Sequence, residues 1–177
     1  MGKGARKKDN LKREFSAGGA VFKEVKGKGL RVKVLWLVTK STSSQLYPKG
    51  VWRLPKGWLD DEGGGTGTLA SGQRKAVEEE LQEAAIREVR EEGGVKTQIV
   101  SKIGTERYFF QSKGERILKF VTFYLMEWID DILEGPGFET EEVSWLPYSK
   151  ARKKLSYSGE KKILDKARGI LDSGIPF

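Results

Sequence analysis

The stretch Arg87-Glu88-Val89-Arg90-Glu91-Glu92-Gly93-Gly94-Val95 places Glu88, Glu91 and Glu92 at i, i+3 and i+4. On a helix that spacing is one face, and Gly93-Gly94 is a stop signal for such a helix. Glu88 and Glu92 are like charges one turn apart, which costs a helix about 0.2–0.5 kcal/mol unless something offsets it. A divalent cation would offset it, so the pattern points to a hard-metal site that handles phosphates. Working back along the chain, Val77, Leu81 and Ala84 (or Ala85) form an apolar stripe, and the acids fall where that stripe would continue. The plain alternative is a salt-bridged surface helix, because Glu83–Arg87 and Arg87–Glu91 are favourable i, i+4 pairs.

The rest of the composition narrows the chemistry. A chain of 177 residues suits one domain with a real core. Cysteine and histidine are both absent, which excludes disulfides, Cys/His zinc sites and Cys or His nucleophile–base pairs. Chemistry near neutral pH falls to Asp, Glu, Lys, Tyr, Ser or a metal-bound water. No apolar run approaches the roughly 20 residues of a membrane span, and the Lys/Arg-rich start has no apolar core, so it is no secretory signal. A cytoplasmic location with no membrane partner is expected.

The formal charge is +8, unevenly spread. Residues 1–13 read as a basic tail, and residues 150–168 are basic apart from Glu160 and Asp165. Residues 78–92 are acidic. An acidic element within a basic chain suits a metal-bridged polyanion. The basic tail leaves RNA as a further partner on charge alone.

Patterning gives a mixed order of elements. Residues 15–22 read as a strand with small residues in its middle, and 30–39 as its hairpin partner after the turn Gly27-Lys28-Gly29. Residues 51–54 read as a short strand stopped by Pro55. The Gly-rich stretch 60–72 reads as a mobile surface loop, and a helix follows, ending near Glu92. Residues 95–103, 105–111, 117–126 and 142–146 read as strands, and 158–171 as an amphipathic helix. The expected class is α+β. Gly65-Thr66-Gly67-Thr68-Leu69-Ala70 fits a dinucleotide-loop spacing, but no strand precedes it.

Leu54-Pro55-Lys56-Gly57, then Glu79, then residues 87–95 together resemble the Nudix box. That family's pattern is a Gly, five residues, a Glu, seven residues, then Arg-Glu-hydrophobic-any-Glu-Glu-any-Gly-hydrophobic. The right half matches at every fixed position. On the left, 21 residues separate Gly57 from Glu79, which reads as an insertion within 61–78 that bulges outward, with 74–78 lengthening the helix. Ala17-Gly18-Gly19-Ala20-Val21, Phe123-Tyr124-Leu125 and Val143-Ser144-Trp145-Leu146-Pro147 are similar to other family strands. The resemblance covers about 14–155, and a domain over 14–177 is expected.

The resemblance implies an α/β/α sandwich with a mixed central sheet, and Mg²⁺- or Mn²⁺-dependent hydrolysis of a pyrophosphate bond. Glu88, Glu91, Glu92 and the Gly57 carbonyl would be metal ligands, and Arg87 would hold a neighbouring carboxylate by bidentate hydrogen bonds. The general base would be Glu92 or Glu139, the latter six residues before Trp145. Lys56 and Arg53 in the lead-in, with Tyr108 and Lys119 on later strands, would contact substrate. The pattern is most similar to the dinucleoside polyphosphate and diphosphoinositol polyphosphate branch. A dinucleoside polyphosphate is the expected substrate. Diphosphoinositol polyphosphates, ADP-ribose, oxidised nucleotides and RNA 5′ ends are same-class alternatives, and a non-catalytic nucleotide- or RNA-binding domain is the rival from another class.

Overall fold

The structure, a computed structural model, describes residues 11–60 and 65–174. Its elements run β1 (Lys12–Lys26), β2 (Val32–Ser41), β3 (Trp52–Arg53), β4 (Lys56–Trp58), α1 (Glu78–Gly93), β5 (Val95–Ser112), β6 (Glu115–Asp131), β7 (Thr140–Pro147), α2 (Tyr148–Lys154) and α3 (Ser158–Asp172). The strands form one sheet in the order β3-β2-β1-β6-β5, with β4 also paired to β1 and β7 to β2. β1 and β6 are parallel, Lys12 opposite Ile117 through Phe22 opposite Glu127, and the other pairs are antiparallel. The expected α+β class and mixed sheet are both found.

Alternation along the central strands explains the layering. Ala17 and Val21 of β1, with Tyr124 and Met126 of β6, face Ala84, Ala85 and Val89 of α1. Ala20 and Phe22, with Val121, Phe123 and Leu125, face Ala151, Leu155, Ile163, Leu164 and Ala167 of the α2–α3 layer. The sheet is thus buried on both sides, as parallel pairing requires. Each large apolar side chain so enclosed contributes about 1.5–3 kcal/mol. Trimming fully buried Val89 to Ala would cost roughly 1–2 kcal/mol and loosen α1 against the sheet.

Local chemistry fixes the ends of α1. At its start the Val77 N–H donates to Glu80 Oε2 at 3.0 Å, and Arg74 grips the same carboxylate at 2.6 and 3.1 Å. At its end Gly94 takes φ of 66° and donates its N–H to the Arg90 carbonyl, a conformation glycine adopts without strain.

Several boundaries differ from expectation. Lys12 and Arg13 belong to β1 and not to a tail, and residues 1–10 lie outside the described residues. β5 is one strand through Gly104, where the register shifts, and not two. A short strand, β4, resumes after Pro55, and α2 follows Pro147 directly. Val77, expected in the apolar stripe, is exposed and precedes the helix. The helix begins at Glu78, so 74–77 do not lengthen it.

The stretch from Gly65 onward is not an outward bulge. The Phe15 N–H donates to the Ala70 carbonyl at 2.7 Å, the Arg74 N–H to the Thr68 carbonyl at 3.1 Å, and the Leu69 N–H to Asp60 Oδ2 at 2.9 Å. Gly65, Gly67 and Ala70 are buried, and Leu69 and Ala76 pack on the α1 side of the core. Backbone hydrogen bonding to β1 supplies the order that the glycine-rich sequence does not suggest.

Candidate active site

The C-terminal half of α1, β4 and the first half of β6 meet around a cleft of about 290 Å³. Glu88, Glu91 and Glu92 line it from α1, Arg53, Lys56 and Gly57 from the β3–β4 segment, Lys119 from β6 and Glu139 from the loop before β7. Arg87, Trp58 and Asp60 complete the wall. Of the residues singled out in the sequence, Tyr108 and Glu79 stay outside this lining, Tyr108 on the neighbouring strand β5. Tyr108 stands opposite Lys119 in the β5–β6 register, and so on the same sheet face, but its ring is exposed, 6.2 Å from Phe110.

Glu88 and Glu92 are 9% and 5% exposed, while Glu91 is exposed at the rim. The two buried acids therefore occupy core positions of the helix. Arg87 splits its fork: Nη1 donates to Glu88 Oε1 at 2.7 Å and lies 3.5 Å from Glu91 Oε2, while Nη2 donates to the Trp58 carbonyl at 2.8 Å. The guanidinium thus ties α1 to β4. Glu92 is held at both oxygens, by Arg53 Nη2 at 2.6 Å and by the Lys56 N–H at 2.9 Å. Arg53, expected to contact substrate, is engaged with Glu92. Glu79, the acid that the family spacing selects, is exposed on the first turn of α1 and away from the cleft.

Gly57 sits where a side chain would not fit. A Cβ there would lie 2.0–2.5 Å from the Glu88 carboxylate. The absence of a side chain lets backbone and carboxylate approach one another closely. The donor set around this contact is all oxygen, from three carboxylates and a backbone carbonyl, which suits a hard divalent cation. Among the described residues no three acidic side chains already meet in a cage, because Glu88 and Glu91 lean toward Arg87 and Glu92 toward Arg53. Mg²⁺ needs no such cage, since it keeps several waters and takes one or two carboxylates plus substrate phosphates. The residues present fit the group.

Burial sets the charge states. It pushes Glu88 up to about 7, against Arg87 and with help from Glu92 and Glu91. It also raises Glu92, against Arg53 and the Lys56 N–H. Burial lowers Lys119 to about 8, and the neighbouring Lys56 adds to this. A neutralising cation among the acids, and phosphates beside the lysines, would each relieve the penalty on the charged form.

The loop carrying Glu139 is stitched to the C-terminal end of α1. The Gly137 N–H donates to the Glu91 carbonyl at 2.7 Å and Thr140 Oγ1 to the Glu92 carbonyl at 2.9 Å. The Ile132 N–H donates to the Gly94 carbonyl at 2.8 Å. Carbonyls that a helix end leaves unpaired thereby become the anchor of the loop. The Glu139 carboxylate makes no hydrogen bond or ion pair among the described residues, and it adds to the raising of Glu92.

Three site residues escaped the sequence reading. Trp58 follows Gly57 directly and Asp60 lies three residues beyond Gly57, and that proximity was the available signal. Glu160 of α3 is 5% exposed and lies 3.9 Å from Lys56 Nζ. Its signal was an acid among the lysines of residues 150–168. A separate cleft of about 330 Å³ between β2, α2 and α3 includes Val34, Trp36, Tyr148, Arg168 and Asp172. It gathers no comparable set of acids.

The NUDIX domain model matches residues 16–167. A mutator-type protein of Mycobacterium tuberculosis, MutT4, is 29% identical over 122 residues, which are 69% of this chain and 43% of that protein. The chain therefore spans less than half the length of that relative. Among solved structures, a Caenorhabditis elegans Ap4A hydrolase binary complex superposes with a TM-score of 0.61 at 21% identity, covering 90% of this chain and 98% of that one. The NUDIX domain of Shewanella oneidensis NrtR, complexed with ADP ribose, gives a TM-score of 0.56 at 14% identity, covering 90% and 88%.

Proposed function

The chain belongs to the Nudix family, and we propose that it hydrolyses the pyrophosphate bond of a nucleoside diphosphate linked to a second moiety, with a dinucleoside polyphosphate as preferred substrate. The observation that carries this reading is the burial of Glu88 and Glu92 in the same cleft as Lys56, Lys119 and Gly57. Glu92, held in the last turn of α1, works against the helix dipole, and burial works against the charge of both acids. Metal-assisted phosphate chemistry explains both, and a domain that only binds nucleotide or RNA has no use for either. The fold-level similarity to a protein described as an Ap4A hydrolase supports the dinucleoside branch as an analogy.

Glu88, Glu91, Glu92 and the Gly57 carbonyl would hold Mg²⁺ or Mn²⁺. When bound, the cation supplies an acidified water and charge neutralisation at the phosphates. Lys56 and Lys119 face the same space and would neutralise the phosphate oxygens and the departing group. Arg87 fixes Glu88 against β4, and Arg53 fixes Glu92. Both Glu92 oxygens already accept hydrogen bonds, which leaves Glu139 the freer of the two candidate bases to take the proton from the attacking water. A cytoplasmic setting, which suits a cysteine-free chain, would present soluble nucleotides to the cleft.

The test is a screen of dinucleoside polyphosphates, ADP-ribose, oxidised nucleotides, diphosphoinositol polyphosphates and 5′-triphosphorylated RNA with added Mg²⁺ or Mn²⁺. Phosphate released after a phosphatase step is the readout. Diadenosine tetra- or hexaphosphate should give the highest kcat/KM. No release from any of them would sink the reading.

A further inference from the structure

One carboxylate beside the cleft comes from the opposite layer of the sandwich and has no part in the chemistry above. Glu160 stands in the first turn of α3, 5% exposed. Its Oε2 accepts the Leu54 N–H at 2.8 Å. Its Oε1 is shut off from solvent and receives no hydrogen bond among the described residues. The cation facing that oxygen is Lys56 Nζ at 3.9 Å, beyond hydrogen-bonding range. The Lys56 side chain is itself only 10% exposed. The segment from Arg53 to Lys56 is therefore strung between two carboxylates. Glu92 takes the Lys56 N–H and the Arg53 guanidinium from the α1 side, and Glu160 takes the Leu54 N–H from the α3 side.

We propose that Glu160 is a positioning residue that acts through Lys56, as a reserve counter-charge that the ammonium faces until a substrate phosphate draws it away. The inference rests on the reading of this cleft as a phosphate site. An ammonium buried without an anion is costly, and Glu160 supplies the anion. The 3.9 Å gap means that no hydrogen bond must break when Lys56 turns to phosphate. The free Oε1 fits this role better than a structural one, since a carboxylate needed only for the Leu54 N–H could be replaced by any neutral acceptor. Burial, with a smaller push from Glu92, holds the Glu160 carboxyl above its ordinary value, while Lys56, the Leu54 N–H and Arg53 pull toward the anion. An anion kept beside the phosphate position weakens the hold on substrate and product alike. Glu160 thus keeps Lys56 in place and at the same time limits how tightly the cleft grips a polyphosphate.

The experiment compares the wild type with Glu160→Gln, which keeps the shape and the acceptor for Leu54 but removes the charge. The probe is magnesium methylenediphosphonate, whose P–C–P bridge resists hydrolysis, titrated by calorimetry into protein whose Tm is measured in parallel. Glu160→Gln should bind it about two- to tenfold more tightly, and KM for diadenosine tetraphosphate should fall by a like factor without a matching rise in kcat. Glu160→Asp, which keeps the charge, should retain wild-type affinity. In a Lys56→Gln background the gain from Glu160→Gln should vanish. Unchanged or weaker binding by Glu160→Gln overturns the proposal, and a tether holding Lys56 toward substrate would give the weaker result. Should Glu160→Gln fail to fold, weaker binding by a folded Glu160→Asp overturns it instead. Lys56→Gln alone should weaken binding, and if it does not, the phosphate-site reading fails by itself.

Discussion

Both ends of α1 carry glutamates, and their surroundings are opposite. At the N-terminal end, Glu78 accepts from Lys102 Nζ at 2.8 Å and from the Tyr124 hydroxyl at 2.7 Å, and Glu80 is gripped by Arg74 and caps Val77. The helix dipole favours acids there. Hydrogen bonds from Lys102 and Tyr124 hold Glu78 below the usual carboxylate range, and those from Arg74 and Val77 do the same for Glu80. Toward the C-terminal end the dipole opposes Glu92, burial raises both Glu88 and Glu92, and Glu92 adds to the raising of Glu88. The same residue type therefore stabilises the helix at one end and strains it at the other. On the proposed function, acids stand in the unfavourable place because a cation brought to the cleft makes use of them.

The sharpest way to break this contrast is kinetic. Glu88→Gln, Glu91→Gln and Glu92→Gln should each lower kcat by about 10²–10⁴, while Glu79→Gln and Glu80→Gln leave it unchanged. Equal losses at both ends, in steady-state hydrolysis of diadenosine tetraphosphate, would show that α1 matters only as a scaffold. Next in size, Lys119→Met should raise KM about tenfold through the loss of a phosphate-facing cation. The same change should stabilise the fold. A lysine whose folded pKa is lowered to about 8 contributes stability that is present above its unfolded value and is lost as pH falls through 8. At pH 7 the wild type thus carries the whole burial cost, roughly 1–3 kcal/mol. The Tm gain of Lys119→Met should shrink as pH rises above 8, and a gain independent of pH would contradict this origin.

Glu88 gives the mirror case. Its folded pKa of about 7 lies above its unfolded value, so its contribution is full below about pH 4.5 and is lost as pH rises through 7. Without metal, Glu88→Gln should raise stability by roughly 1–3 kcal/mol at pH 8 and by nothing measurable below about pH 4. Thermal melts at the two pH values check it. The smallest effect belongs to the other end of the helix. Glu80→Gln should lower Tm by only about 1–3 °C, and the loss should shrink in high salt.

How far the sequence revealed this arrangement depends on the distance each contact spans. The acid face of α1 was legible because helical periodicity is local: i, i+3 and i+4 fix it without reference to anything else. Lys56, Gly57 and Lys119 became visible through family resemblance, not through spacing. The grip of Glu160 on Leu54 crosses 106 residues and that of Arg53 on Glu92 crosses 39, and no periodicity reports such pairs. The full extent of β1 was hidden for another reason. Ala17, Ala20, Val21 and Phe22 are buried on both faces, so the two-residue alternation that marks a half-exposed strand is missing. The packing of 65–76 is not legible in the sequence, because glycines suggest freedom and the hydrogen bond from Phe15 to Ala70 that removes it is non-local.

On the proposed function, the C-terminal acids of α1 hold a divalent cation and the N-terminal acids do not. Titration of Mn²⁺, followed by the paramagnetic resonance signal of the free ion, tests it without reference to any substrate. Glu88→Gln, Glu91→Gln and Glu92→Gln should each weaken Mn²⁺ binding about tenfold or more, with Glu79→Gln and Glu80→Gln matching the wild type. Mn²⁺ binding that is absent in the wild type, or that falls equally with substitutions at either end, would contradict the account.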